Sequence, residues 1–116
     1  MDKNELKDRT KKFALRVIKL VEKLPKTVAG YVLGKQLIRS GTSVAANYRA
    51  TCLARSKPEF ISRLGVVAEE ADETALWLEL IGEGGVIKAN LLTPLLQEAK
   101  ELTAIMCASR KSASKK

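Results

Sequence analysis

The sequence predicts an all-α fold, an antiparallel up-and-down four-helix bundle, and three observations carry that expectation. Glycine and proline sit at punctuating positions and leave long stretches of helical apolar spacing between them. No stretch alternates apolar and polar residues over a useful strand length. The connections between periodic stretches are short, which sets consecutive helices side by side and antiparallel. A chain of 116 residues, 46% apolar, is long enough for one core and too short for two ordinary domains.

The first helix is expected from about Asn4 to Leu24, where Leu6, Phe13, Val17, Leu20 and Leu24 recur at helical spacing and Ala14, Ile18 and Val21 widen the stripe. Pro25-Lys26 breaks it, and Thr27 offers a hydroxyl to the free amides of a second helix ending near Arg55. Small residues repeat along that second helix, Gly30 with Gly34 and Gly41 with Ala45. Interior glycine costs about 0.8 to 1.0 kcal/mol against alanine, so close packing or assembly at Gly34 and Gly41 is the expected compensation.

Ser56-Lys57-Pro58-Glu59 reads as a capping box with proline tolerated in the first turn, and a third helix starts there. Its seam is Phe60, Leu64, Val67, Ala71, Thr74, Leu78 and Ile81, with a second apolar edge at Leu76, Trp77 and Leu80 that suggests assembly. Gly82, Gly84 and Gly85 end it. The fourth helix begins between Lys88 and Pro94, with Thr93-Pro94 as cap and first turn, and continues through Leu96, Ala99, Leu102 and Met106 to about Ser109. Residues 1–109 form the bundle domain in this reading, and 110–116 a basic, frayed tail.

Composition excludes several chemistries. The chain has no histidine, which removes Ser-His-Asp and Cys-His catalysis, the H-E-x-x-H zinc site and Glu-x-x-His di-iron ligation. Cys52 and Cys107 are the only cysteines, without metal or dithiol spacing, and read as reduced, packed thiols in a cytoplasmic protein. No metal or cofactor is expected. The polar N-terminus and the absence of an apolar run near roughly eighteen residues argue against secretion and membrane insertion.

The formal charge of +8 points to anionic partners, and its distribution is uneven. Residues 1–57 carry fourteen basic and four acidic side chains, and residues 58–101 carry three and nine. Arg9, Lys12, Arg16, Lys19, Lys23 and Lys26 follow one another at spacings of three and four, a candidate phosphate track on the first helix. The alternative is a solvated face that offsets the acidic third helix. With five aromatic residues in the chain, mostly at core-like positions, base stacking has few platforms, so any RNA binding is expected to be electrostatic.

Two polar clusters accompany the stripe. Ser40, Ser43 and Asn47 share a helix face beside Gly41, either as a ligand site or, by preference, as a structural polar network. Glu69, Glu70, Asp72 and Glu73 follow on the third helix. Glu69 and Glu73 are expected to pair with Arg39 or Arg49, in preference to holding a hard cation.

The run from Gln36 to Ala50, QLIRSGTSVAANYRA, then Ala54 to Ile61, Glu69 to Thr74 and Trp77 to Leu80, resembles the four-helix family that includes proteins encoded in intervening sequences of bacterial 23S ribosomal RNA genes. Arg39, Ser40, Ser43, Asn47, Glu73 and Trp77 match its pattern without inheriting a defined role. The resemblance implies a homopentameric ring of antiparallel bundles with no established catalysis. A related branch comprises accessory proteins of diversity-generating retroelements, which engage a reverse transcriptase and RNA. The reading that results is a non-enzymatic, cytoplasmic homo-oligomer that binds RNA through the first-helix stripe. Its alternative is an assembly scaffold built on Gly34, Gly41, Trp77 and Leu80, with no nucleic-acid role.

Overall fold

The structure is a computed structural model, and it describes residues 1–115. Four helices follow one another: α1 (Lys3–Glu22), α2 (Val28–Cys52), α3 (Lys57–Glu83) and α4 (Thr93–Ser114), with one turn of 3-10 helix at Ala89–Leu91. Each helix packs on its sequence neighbours and α4 returns to α1 along a shorter stretch, while the diagonal pairs stay apart. The result is a four-cornered up-and-down bundle measuring 48 × 21 × 19 Å. Among the described residues no helix is long and apolar enough to cross a membrane.

The caps explain most of the boundaries. Asp2 starts α1 with a reciprocal capping box: its carboxylate accepts from the Glu5 amide at 2.8 Å, and Glu5 accepts from the Asp2 amide at 2.9 Å. Thr27 caps α2 as expected, its hydroxyl accepting from the Gly30 amide at 3.0 Å. At α3 the Ser56 hydroxyl takes the Glu59 amide at 3.1 Å. The expected return bond goes elsewhere, because Glu59 accepts from the Arg55 amide at 3.1 Å and from the Arg63 guanidinium at 3.0 Å. The Arg55 amide and then Arg63 hold the Glu59 carboxyl below its ordinary range.

Three boundaries differ from the sequence reading. α2 stops at Cys52, short of Arg55, since the chain must turn ahead of the Ser56 cap. Thr93 does not cap α4: Leu92 takes the cap position, and the Thr93 hydroxyl donates back to the Ala89 carbonyl at 3.2 Å. α4 also runs past Ser109 to Ser114, so most of the expected tail is helical. Arg110 lies across α3 at Gly65, where an added Cβ would stand 3.4 Å from its guanidinium carbon, and this contact ties the last turns to the bundle. α3 ends as expected in its glycine run, with Gly85 at φ 71° turning the chain toward α4.

Every expected seam position of α3 is buried except Phe60, which lies half-buried at the bundle end under the Lys3 ammonium, 5.2 Å from the ring centroid. Phe13, Val17, Leu37, Val44, Leu64, Leu78, Leu102 and Met106 fill the core between the four helices. Gly34 and Gly41 are buried against α1 of the same chain. An added Cβ at Gly41 would sit 2.8 Å from both methyls of Val17, and one at Gly34 would sit 3.2 Å from Leu24 Cδ1. The small residues therefore serve the α1–α2 packing inside one protomer. The two thiols differ from expectation too: Cys52 is half-buried and Cys107 exposed.

Candidate nucleic-acid interface

The six cations of the expected α1 stripe do not act as one row. Arg9 turns toward α4, where its guanidinium donates to both carboxylate oxygens of Glu98 at 2.7 and 2.8 Å and to Glu101 at 2.7 Å. With its side chain 24% exposed and Glu98 16%, the pair is a fork-to-carboxylate latch across the α1–α4 edge. Glu98 raises the Arg9 pKa further above an already high value. Gln97 and then Arg9 hold the Glu101 carboxyl below its ordinary range. Arg9 is therefore a structural side chain, because its charge is neutralised twice within the fold.

Lys12 makes a surface pair with Asp8 at 3.0 Å, one turn away. Lys26 lies past the helix end, on the rim of a different groove formed by α1 and α2. Arg16, Lys19 and Lys23 remain together, surrounding a shallow hollow of about 220 Å³ whose other walls are Leu20, Leu91, Pro94 and Leu95. All three are exposed, and among the described residues none stands within ion-pair distance of a carboxylate. Pro94 and Leu95 belong to the first turn of α4, which has no side-chain cap, so the positive end of that helix lies beside the cations. Three unpaired cations at one helix start can hold phosphate oxygens. The walls offer no aromatic face for a base.

The periodicity of α1 places these residues on one flank, but nothing within α1 says which of them meets an acidic partner. The hollow itself was missed. Its signal is faint: a basic pair at Arg16 and Lys19, and a leucine pair at Leu91-Leu92 ahead of Pro94, with most of a chain length between them.

The polar motif on α2 and α3 is structural. The Ser40 and Thr74 hydroxyls stand 2.9 Å apart, fully buried, and Thr74 also reaches the Glu70 carbonyl at 2.8 Å. Ser43 and Asn47 do not join that pair; Asn47 donates to the Ser43 carbonyl of its own helix at 2.9 Å. Thr74 is the missed partner, concealed because it also fits the apolar seam. Arg39 bridges Glu73 and Glu70, the latter at 3.4 Å, in place of the expected Glu69 with Glu73. Glu73 also accepts from the Trp77 indole N–H at 3.3 Å, which fixes the ring at the α2–α3 surface. Glu69 and Arg49 are exposed and Glu69 lies on the outer side of α3. Trp77 is half-buried against the core, and Leu80 is 42% exposed beside it.

Relatives agree with this architecture. A crystal structure of a protein of unknown function from the S23 ribosomal protein family of Bacteroides thetaiotaomicron VPI-5482 superposes with a TM-score of 0.87 at 32% identity, covering 96% of this chain and 99% of that one. No curated protein matches the chain. The family described as 23S rRNA-intervening sequence protein matches residues 2–108, which spans the four helices apart from the last turns of α4. With that match and the shared four-helix fold, the chain belongs to the 23S rRNA-intervening sequence protein family.

Proposed function

We propose that this protein is a non-catalytic, self-assembling RNA-binding accessory protein that grips the phosphate backbone with Arg16, Lys19 and Lys23. The observation that carries the reading is the hollow at the α1–α4 edge, where these three cations surround an apolar floor without acidic partners. The Arg9 latch supports it from the other side. Elsewhere on that edge basic charge is neutralised by Glu98 and Glu101, whereas here it is left open to solvent. The homopentamer implied by the family resemblance repeats the hollow once per copy, and one RNA spanning several copies gains avidity from individually weak contacts.

The test is retardation of single-stranded RNA as a function of salt. Three neutralised phosphates per engaged protomer give a slope of log K against log salt of about −2. Arg16→Gln/Lys19→Gln/Lys23→Gln brings that slope toward zero while helicity is kept, and Arg9→Met leaves the slope unchanged. Absence of retardation by the wild-type chain at low salt refutes the reading. Binding by the triple variant equal to wild type moves the site to Arg110 and Lys111.

A further inference from the structure

The hollow that holds Arg16, Lys19 and Lys23 is closed on its far side by Leu91, Pro94 and Leu95. Behind that wall lies a second hollow, also of about 220 Å³, to which the same stretch of chain contributes Ala89, Leu92 and Thr93. Its charged side chains have the opposite sign: Glu79 and Glu83 line it where the first hollow has cations. The 3-10 turn Ala89–Leu91 is therefore a partition between a basic hollow on the α1 side and an acidic one on the α3 side.

Lys88 heads this partition. It precedes the 3-10 turn, its carbonyl accepts from the Leu91 amide at 3.0 Å, and its side chain is exposed. Three residues at a rise of about 2.0 Å each put Leu91 about 6 Å along the turn, so the ammonium of Lys88 lies within a side chain's length of the basic hollow. Among the described residues no carboxylate stands within ion-pair distance of it. Residue counting hides Lys88, because it falls in the net-acidic stretch 58–101.

We propose that Lys88 is a fourth phosphate contact of the RNA surface: the strand leaves the Arg16, Lys19 and Lys23 hollow over Leu91 and ends its track at Lys88, at the end of the bundle. The proposal rests on the RNA-binding reading above and gives that site a direction and a limit. Charge selects the route. A strand running back along α1 meets Glu98 and Glu101, which already neutralise Arg9. One continuing past Lys88 meets Glu79 and Glu83. On the α2 side the charges are mixed, Glu22 with Lys26 and Lys35. Like charge opposes the first two continuations, and the third gains little. The crossing at Leu91 instead joins three unpaired cations to a fourth, and Leu91, 61% exposed, offers the strand an aliphatic surface with no carboxylate on it.

Retardation of a single-stranded oligoribonucleotide at increasing potassium chloride tests the proposal on the full-length chain. Each neutralised phosphate contributes equally to the slope of log K against log salt, so Lys88→Gln removes about one quarter of it, however many protomers one RNA engages. Lys100→Gln is the control. It removes the same charge beyond the acidic hollow, where Lys100 stands 3.9 Å from Glu79, and leaves the slope unchanged. Acetylation by acetic anhydride, read by mass spectrometry, is slowed by bound RNA at Lys19, Lys23 and Lys88 and not at Lys100. A slope that Lys88→Gln leaves unchanged, or a Lys88 as reactive in the complex as in the free chain, overturns the proposal while the three-cation site stands. Equal losses in Lys88→Gln and Lys100→Gln overturn it too, since they mark net charge and not a contact. No retardation of the wild type at low salt overturns the RNA-binding reading itself.

Discussion

Replacing Gly41 by alanine sets helix propensity against packing, and the structure decides the sign. Alanine in a helix interior is favoured over glycine by about 0.8 to 1.0 kcal/mol. The new Cβ, however, stands 2.8 Å from both Cγ atoms of Val17 and 3.1 Å from its Cβ. Val17 is fully buried and β-branched, so any χ1 rotamer keeps at least one methyl against the new Cβ, and its own Cβ does not move away. The α1 and α2 backbones must part instead, at about 1 to 3 kcal/mol. The expected net effect is a loss of about 1 kcal/mol, a fall in Tm of about 4 °C for a domain of this size.

Gly34→Ala supplies the contrast. Its Cβ meets Leu24 Cδ1 at 3.2 Å and Val21 Cγ1 at 3.4 Å, and the first is the far end of a flexible side chain. The propensity gain then survives, and the variant is neutral or more stable by up to about 1 kcal/mol. Urea unfolding at fixed chain concentration measures both, since assembly would otherwise shift the midpoint. A cycle with Val17→Ala isolates the clash: the double variant is more stable than the summed single effects by about 1 kcal/mol or more. A Gly41→Ala protein as stable as wild type, or two variants of equal effect, would falsify the argument that α1 approaches α2 at Gly41 through Val17.

Three further outcomes follow from the same contacts. Arg9→Met cuts both bonds to Glu98 and the one to Glu101, leaves Glu98 largely buried without its cation, and costs about 1 to 3 kcal/mol in urea unfolding. Stability falls on acidification, because the carboxyls of Glu59 and Glu101 are held below their unfolded value. Their contribution is complete above the unfolded glutamate pKa of about 4.3 and is lost as pH falls through the lowered folded values, and Glu101→Gln should flatten the acid limb of a pH–stability curve. Ser40→Ala and Thr74→Val each leave one member of a buried hydroxyl pair, so the double variant loses less than the sum by about 0.5 to 1 kcal/mol; strict additivity would mean the hydroxyls do not interact.

The four helices were legible from the chain because their causes are local. Thr27 and Ser56 mark two starts, the glycine run after Ile81 marks an end, and the α3 seam from Leu64 to Ile81 is buried as its spacing requires. Where the expectation erred, a longer-range contact prevailed. The polar sequence after Ser109 predicts the end of α4 there, yet Arg110 packs across Gly65 and the helix continues to Ser114. Helical spacing alone groups Glu69 with Glu73 as partners for Arg39 or Arg49; Arg39 does meet Glu73, but α2 lies along one flank of α3 and makes Glu70, not Glu69, its second partner.

By itself, then, the sequence determined the all-α class, the order of the helices, the positive first half and the absence of imidazole chemistry, since each depends on residue identity or on spacing within one helix. Only the tertiary structure decided which charges are available. Arg9 is neutralised by carboxylates eighty-nine and ninety-two residues away, Lys26 turns to another groove, and Arg16, Lys19 and Lys23 stay open beside the start of α4. Helical periodicity fixes the direction in which a side chain leaves its own axis. The partner it meets is set by how neighbouring helices pack and register, and that depends on the core as a whole.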